Sequence, residues 1–387
     1  MIKERDYMQI GIDKIGYYVP NYFLDLKCLA EKNKIDYNKY YIGLMQEKMG
    51  IIPSFEDIVT MGANCCLNNF SKEDLKGIKM IIFATESGID YSKSCATNIL
   101  GILNLDNNVR CIEVKQACYG MTFGLLTAYN HILANENDKV LLIGSDVSRY
   151  KLNGNAEATQ GAGSCAMIIS KNPRVLELVN KGAYYSEDIL DFYRPDKKAF
   201  PLVDGPYSNS KYLEFFSKTI DLFVKNNEIK LENFEAFVFH VPYSKIGCKA
   251  LDLIKEHIKY EKILDIYKKS TIYNKNVGNI YTGSLYLNLI GLLDTKHFKK
   301  DDLIGLYSYG SGATAEFFSL KIVDKYEDHL NTKYNQEILD KRLEMSYDAY
   351  FSLYSKKLKL KNNGEYTKVI FKNKNGKKSY ERVKKNV

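Results

Sequence analysis

Short apolar runs alternate with stretches of helical periodicity along most of this chain. The runs over 79–84, 109–114, 139–144, 166–170, 236–240 and 303–309 are too short for helices and predict strands buried on both faces. Between them, apolar residues recur at three- and four-residue spacing over 58–69, 95–103, 119–134, 211–226, 244–257 and 283–292 and predict helices. Strand and helix in alternation predict an α/β protein with a largely parallel sheet.

A weak internal repeat refines that picture. Gly161-Ala-Gly-Ser-Cys-Ala-Met-Ile-Ile-Ser170 is echoed by Gly310-Ser-Gly-Ala-Thr-Ala-Glu-Phe-Phe-Ser319, and the runs 80–85 and 237–241 recur at a similar offset. The repetition predicts two duplicated halves, 1–171 and 172–355, followed by a segment 356–387. In that segment 366–371 and 378–383 flank Lys-Asn-Lys-Asn-Gly-Lys and predict a hairpin with a Gly turn.

Composition narrows the class. A chain of 387 residues with 45% hydrophobic content buries a large core. The charged start Met-Ile-Lys-Glu-Arg-Asp leads into no apolar signal core, no apolar run is long enough to span a bilayer, and a cytoplasmic location is expected. The net charge of +8 is a property of the terminal segment, where twelve Lys or Arg face two acids and the rest of the chain is near neutral. A solvated tail, with neither nucleic acid nor membrane as a partner, is therefore expected. Eight cysteines without a C-x-x-C pair and five scattered histidines indicate neither a disulfide scaffold nor a metal site.

Candidate chemistry gathers at predicted strand ends. Cys118 follows the run 109–114 and precedes a predicted helix, where unpaired N–H groups and the helix dipole stabilise a thiolate; an inert buried cysteine is the competing reading. Glu86 ends a strand, where burial turns a carboxylate into a useful base; an N-cap or exposed loop acid is the competing reading. His240 likewise leaves a strand, before the turn at Pro242, where a satisfied structural histidine fits as well. Asn279 stands at a loop-to-helix junction. Ser311 lies in a Gly-Ser-Gly turn whose N–H groups suit an oxyanion or acyl contact, although a plain tight turn fits too. A cysteine nucleophile beside a carboxylate suits carbon–carbon bond formation on acyl thioesters: the thiol carries the acyl group and the carboxylate removes an α-proton.

The motifs resemble the bacterial type of 3-hydroxy-3-methylglutaryl-CoA synthase, within the thiolase superfamily. The resemblance is carried by Ile10-Gly-Ile-Asp-Lys-Ile-Gly-Tyr-Tyr-Val-Pro20, Ala84-Thr-Glu-Ser87, Gln116-Ala-Cys-Tyr119, Thr159-Gln-Gly-Ala-Gly163, Tyr193-Arg-Pro195, Pro201-Leu-Val-Asp-Gly205, His240-Val-Pro242, Gly278-Asn-Ile-Tyr-Thr-Gly283 and Ser308-Tyr-Gly-Ser-Gly312. It implies a five-layered αβαβα fold of two thiolase-like halves and a homodimer. It also implies condensation of acetyl-CoA with acetoacetyl-CoA and water, giving 3-hydroxy-3-methylglutaryl-CoA and CoA for the mevalonate pathway, with no cofactor. On this resemblance Cys118 takes the acetyl group, Glu86 deprotonates its methyl, and His240 holds the acceptor and helps protonate the new alcohol. Asn279 and Ser311 match acceptor or oxyanion positions, Tyr150, Thr159 and Ser208 match substrate-pocket positions, and Asp146 matches a supporting acid. Lys245 and Lys249 match lysines near the CoA phosphates.

The sequence departs from the family at Cys248, where another lysine is common, and at Ala158, where a proline often precedes Thr159. Weaker CoA binding and a looser Thr159 loop are expected from these, and residues 356–387 are expected to lie outside the family match. The alternatives are a polyketide β-branching synthase with a carrier-protein-bound acceptor, a malonyl-using ketosynthase, and an idle fold that binds polyanions through its basic end.

Overall fold

The computed structural model describes residues 8–195, 198–374 and 377–383. The charged start of the chain and the Gly376 turn of the expected hairpin lie outside the described residues. Nine strands form one large sheet: β1 (Ile10–Tyr18), β2 (Ile78–Ala84), β3 (Arg110–Val114), β4 (Lys139–Ser148), β5 (Gly161–Lys171), β6 (Leu176–Ser186), β7 (Phe234–Phe239), β8 (Leu303–Gly310) and β9 (Thr314–Ile322). Their order across the sheet is β7-β8-β9-β6-β1-β5-β4-β2-β3.

The sheet is mixed, which corrects the largely parallel expectation. Pairs β2–β3, β2–β4 and β7–β8 run parallel, and the remaining neighbours run antiparallel. The strands that sequence patterning missed, β1, β6 and β9, are among the antiparallel ones. They carry buried charged groups that break an apolar run: Asp13, Glu177 and Glu316 are each nearly inaccessible. Asp13 is there because Arg174 clamps it through Nε and Nη2 at 2.8 and 2.7 Å.

The duplication is visible in the pairing. In the first half β2 pairs parallel with β4, β4 antiparallel with β5, and β5 antiparallel with β1. In the second, β7, β8, β9 and β6 repeat that scheme, and β1–β6 pairing at Gly11↔Glu177 and Ile12↔Leu176 joins the two. The two sequence echoes therefore fall on topologically equivalent strands, β5 with β9 and β2 with β7.

Helices cover both faces because neighbouring strand residues point to opposite sides. A Cβ on Gly62 of α1 (Ile58–Asn69) would lie 3.1 Å from Phe83 and from Ile143. One on Gly124 of α3 (Gly120–Ala134) would meet the adjacent residues Leu142 at 2.5 Å and Ile82 at 3.3 Å. So α1, with α2 (Cys95–Leu103), and α3 lie on opposite faces of the first half. In the second half, Phe237, Phe239, Tyr307 and Phe317 pack with Phe215, Phe216 and Phe223 of α4 (Gly205–Asn226), near α5 (Ile246–Leu253). Their neighbours Val238, Leu306 and Phe318 face Leu285 and Leu289 of α6 (Ser284–Thr295). Helices α3 and α6 meet at the centre, where Thr122 Oγ1 lies 2.9 Å from Tyr286 Oη. Two outer helical layers, the two halves of the nine-stranded sheet as separate layers, and this inner helical layer make the αβαβα arrangement.

The basic end is not a solvated tail. Strands β10 (Val369–Lys374) and β11 (Lys377–Arg382) pair antiparallel, a few residues offset from the expected hairpin arms. Val369 is fully buried against the first half. Asn64 of α1 accepts from the N–H groups of Lys368 and Val369 at 2.9 and 2.7 Å and donates to the Val369 carbonyl at 3.1 Å. Lys378 pairs with Asp57 at 3.0 Å, so part of the positive charge is neutralised inside the fold. Among the described residues, no helix is long and apolar enough to cross a membrane. Replacing Asn64 with Ala removes three hydrogen bonds to the hairpin backbone and is expected to cost about 1–3 kcal/mol, read from the midpoint of urea unfolding. An unchanged midpoint would show that the hairpin is held by other contacts.

Candidate active site

Cys118 sits on a sharp elbow between β3 and α3. Ala117 before it has φ +41°, a left-handed conformation unfavourable for a residue with a Cβ. Gly310, at the end of β8, closes on this elbow: a Cβ there would lie 2.5 Å from the Gln116 carbonyl and 2.6 Å from the Tyr119 nitrogen. Only glycine lets β8 approach so near, and this brings the second half of the chain to Cys118.

The Cys118 thiol donates to Glu86 Oε1 at 3.2 Å. Burial, reinforced by the Glu86 carboxylate, pushes the thiol well above its ordinary range. This corrects the thiolate expectation: the resting Cys118 side chain is a thiol. The N–H groups at the start of α3 are taken locally, Met121 N by Thr282 Oγ1 at 2.6 Å and Tyr119 N by the Gln116 carbonyl at 3.0 Å.

Glu86 retains some exposed surface, yet its carboxyl is enclosed by protein, and burial followed by repulsion from Asp146 pushes it well up. Asp146, fully buried at the end of β4, is itself raised by burial. Its carboxylate accepts from Thr85 Oγ1 at 2.7 Å, from the N–H groups of Glu86 and Ser87 at 3.0 Å each, and from Thr282 N at 3.3 Å. It thereby fixes the backbone that carries Glu86. Arg194 Nη2 donates to the Glu86 carbonyl and draws the carboxyl back down in part.

Tyr150 and Tyr281 form one small apolar cluster with Cys118, flanked by Phe192. Burial pushes the Tyr150 phenol up, and the neighbouring Tyr281 and Asn279 side chains draw it back in part. Asn279 is buried; its Oδ1 accepts from Tyr281 N at 2.8 Å and Ser284 Oγ at 2.9 Å, while its N–H donates to the Thr159 carbonyl at 3.0 Å. Thr159 spends its own hydroxyl proton on the Ala156 carbonyl. At Ala158 the chain forms a 3-10 turn, Glu157–Thr159, with Asn153 N held by Glu157 Oε2 at 2.7 Å.

Ser208 donates to Asp191 Oδ2 at 3.0 Å. Asp191, absent from the sequence reading, is fully buried and also accepts from Tyr309 Oη at 2.8 Å and Gly312 N at 2.9 Å. It thus ties the start of α4 to the Ser311 turn, whose carbonyl accepts from Gln116 Nε2 at 3.4 Å. Its proximity to the Tyr-Arg-Pro motif was the available signal, but a loop acid gives no sign of burial from pattern alone.

His240 is buried, and burial lowers its imidazole to about 3, so it is neutral. Its N–H donates to the Tyr307 carbonyl of β8, and its Nδ1 has no hydrogen-bond partner among the described residues. Lys245 and Lys249 lie apart from this cluster, at α5, where Lys249 is exposed with Nζ 3.4 Å from Tyr243 Oη. Cys248 is buried with Sγ 3.8 Å from Met45 Sδ.

Comparison with known proteins shows the family. The hydroxymethylglutaryl-coenzyme A synthase N-terminal family model matches residues 7–174, and the C-terminal model matches 176–258 and 255–384. The chain belongs to the hydroxymethylglutaryl-CoA synthase family. It is 41% identical to the hydroxymethylglutaryl-CoA synthase of Enterococcus faecalis, over 91% of this chain and 93% of that one. It is 30% identical to the polyketide biosynthesis 3-hydroxy-3-methylglutaryl-ACP synthase PksG of Bacillus subtilis strain 168, over 89% and 87% respectively. A crystal structure of an HMG-CoA synthase complexed with CoA superposes with a TM-score of 0.92 at 34% identity, covering 97% of this chain and all of that one. The thiolase-like fold is thus shared, and the chain is an acyl-condensing transferase by family. The family match also reaches residue 384, which corrects the expectation that the basic end lies outside it.

The raised Glu86 carboxyl carries a pH signature. A buried acid with a folded pKa above its unfolded value is stabilising below the unfolded value, and that stability is lost as pH rises through the folded one. Glu86→Gln is therefore expected to be more stable than the parent chain in alkaline buffer. The difference should shrink on acidification towards the ordinary glutamate range, near ~4.3. Unfolding midpoints across pH test this, and a pH-independent difference would refute it.

Proposed function

We propose that the protein condenses acetyl-CoA with acetoacetyl-CoA and water to give 3-hydroxy-3-methylglutaryl-CoA and CoA through an acetyl-Cys118 intermediate. The observation that carries this reading is the 3.2 Å contact between Cys118 Sγ and Glu86 Oε1, with both groups enclosed by protein. A thiol and a raised carboxyl at that distance exchange a proton directly.

Cys118 attacks the acetyl-CoA carbonyl as its proton moves to Glu86; the C–S bond to CoA breaks, and the departing thiolate takes that proton. Glu86, again a carboxylate, then removes a proton from the acetyl methyl. The resulting enolate attacks the ketone carbon of acetoacetyl-CoA and leaves an alkoxide. Burial disfavours His240 as the donor of the final proton, because its neutral ring would have to become an anion. We assign it instead a hydrogen bond to the acceptor, and the alkoxide proton returns from Glu86. Hydrolysis of the Cys118 thioester frees the product. Asp146 holds the base in place. Tyr150, Thr159, Ser208, Asn279 and Ser311 line or support the acceptor pocket, and Lys245 and Lys249 would meet the CoA phosphates, with no cofactor in any step. The exposed edge of β3, where Ile112 is 51% exposed, supports a homodimer built by edge pairing.

Cys118→Ser is expected to abolish stable labelling by radiolabelled acetyl-CoA; label retained at position 118 or elsewhere would assign another route. Glu86→Ala is expected to slow acetylation and to abolish condensation, with kcat down by ~100-fold or more, the usual weight of a positioned base. Acetylation at the parent rate would mean that Cys118 loses its proton by another route. His240→Ala should raise KM for acetoacetyl-CoA more than it lowers acetylation. Release of CoA with acetoacetyl-CoA as acceptor, compared with acetoacetyl-carrier protein, tests this reading against the polyketide one.

A further inference from the structure

The acceptor-side loop 149–160 is held by a helix that lies about two hundred positions later in the chain. Helix α7 (Tyr347–Tyr354) is capped by Ser346 and carries Tyr347, Tyr350 and Tyr354 at three- and four-residue spacing, on one face. Tyr350 is buried beneath the loop. Its hydroxyl donates to Glu157 Oε1 at 3.1 Å and accepts from Gln160 Nε2 at 2.8 Å. Gln160 Oε1 in turn accepts from Tyr150 N at 2.8 Å. Tyr354 Oη donates to the Tyr150 carbonyl, and Arg149 locks Tyr354 from the other side, lying 4.4 Å over its ring and donating from Nη2 to its carbonyl at 3.0 Å. Both backbone groups of Tyr150 are therefore held from α7, one directly and one through Gln160. The ring so positioned shares a cluster with the Cys118 thiol.

We infer that Tyr354, together with Tyr350 acting through Gln160, positions Tyr150 as a wall of the pocket around Cys118. Neither residue needs to touch substrate. Their effect passes through the Tyr150 backbone and depends on hydroxyl groups, since the rings alone would fill the same space. The kinetic part of this inference rests on the proposed function; the placement of Tyr150 over the thiol does not.

Tyr354→Phe removes the hydroxyl and little volume, and Tyr347→Phe serves as a control on the same helix face. Iodoacetamide alkylation of Cys118, followed on its own peptide by mass spectrometry, reads the wall without any turnover. Tyr354→Phe is expected to raise that rate by about three- to tenfold, the scale of one lost hydrogen bond, while Tyr347→Phe stays at the parent value. In the condensation assay Tyr354→Phe should raise KM for the acceptor by a similar factor and leave the acetylation half-reaction unchanged. Equal alkylation in the parent chain and Tyr354→Phe would overturn the inference. So would equal acceleration in both variants with parallel losses of melting temperature, because that marks general loosening. If the parent chain fails to condense at all, the functional reading falls, while the alkylation comparison still decides the role of Tyr354.

Discussion

Asp146 holds this site together from a position no solvent reaches. Its carboxylate collects the hydroxyl of Thr85, the N–H groups of Glu86 and Ser87, and the N–H of Thr282. The first three belong to the end of one strand in the first half, and the last to the turn before α6 in the second. A buried charge without such donors would be too costly to keep, so the constraint runs both ways. The donors stabilise the anion, and the anion holds them in one arrangement. Thr282 then passes the constraint on by accepting from Met121 N at the start of α3, just after Cys118.

Electrostatics in such a closed space explains why the resting pair is a thiol and a proton-hungry carboxyl rather than two anions. Glu86, Asp146 and Asp191 all lie within electrostatic reach of Cys118, and Asp146 within reach of Glu86, so an added negative charge on the thiol is resisted. The same desolvation keeps His240 neutral. A pocket of this kind moves protons over short distances without gathering net charge. That is what acyl transfer followed by enolate formation requires.

The pocket is built from distant parts of the chain, and several devices join them. Gly310 lets β8 close on the Cys118 elbow. Asp191 ties α4 to the Ser311 turn. The α7 tyrosines grip the loop of Tyr150 and Thr159. The basic hairpin, for its part, completes the first half by giving Asn64 and Asp57 partners. Its positive charge therefore belongs partly to the fold, which explains why a charge count by itself misread it as a free tail.

Much was legible before any coordinates. Alternating apolar runs marked β2, β4, β7 and β8 within a few residues, because a strand buried on both faces must be nearly continuous in apolar side chains; β3 was marked too, although at the sheet edge it is not buried. The repeat around Gly161 and Gly310 marked equivalent strands of the two halves, and the motifs named Cys118, Glu86 and His240. What pattern could not carry was every feature set by partners far along the chain. The antiparallel strands β1, β6 and β9 hide because their buried acids find distant partners. The protonation state of Cys118 was misjudged because a helix start is local, whereas the carboxylate that opposes ionisation arrives from thirty-two residues earlier. Asp191 and Tyr354 act entirely through contacts of that kind. Sequence determined which groups are present and which elements carry them; their charge and their grip on one another were decided only when the chain closed around them and shut out water.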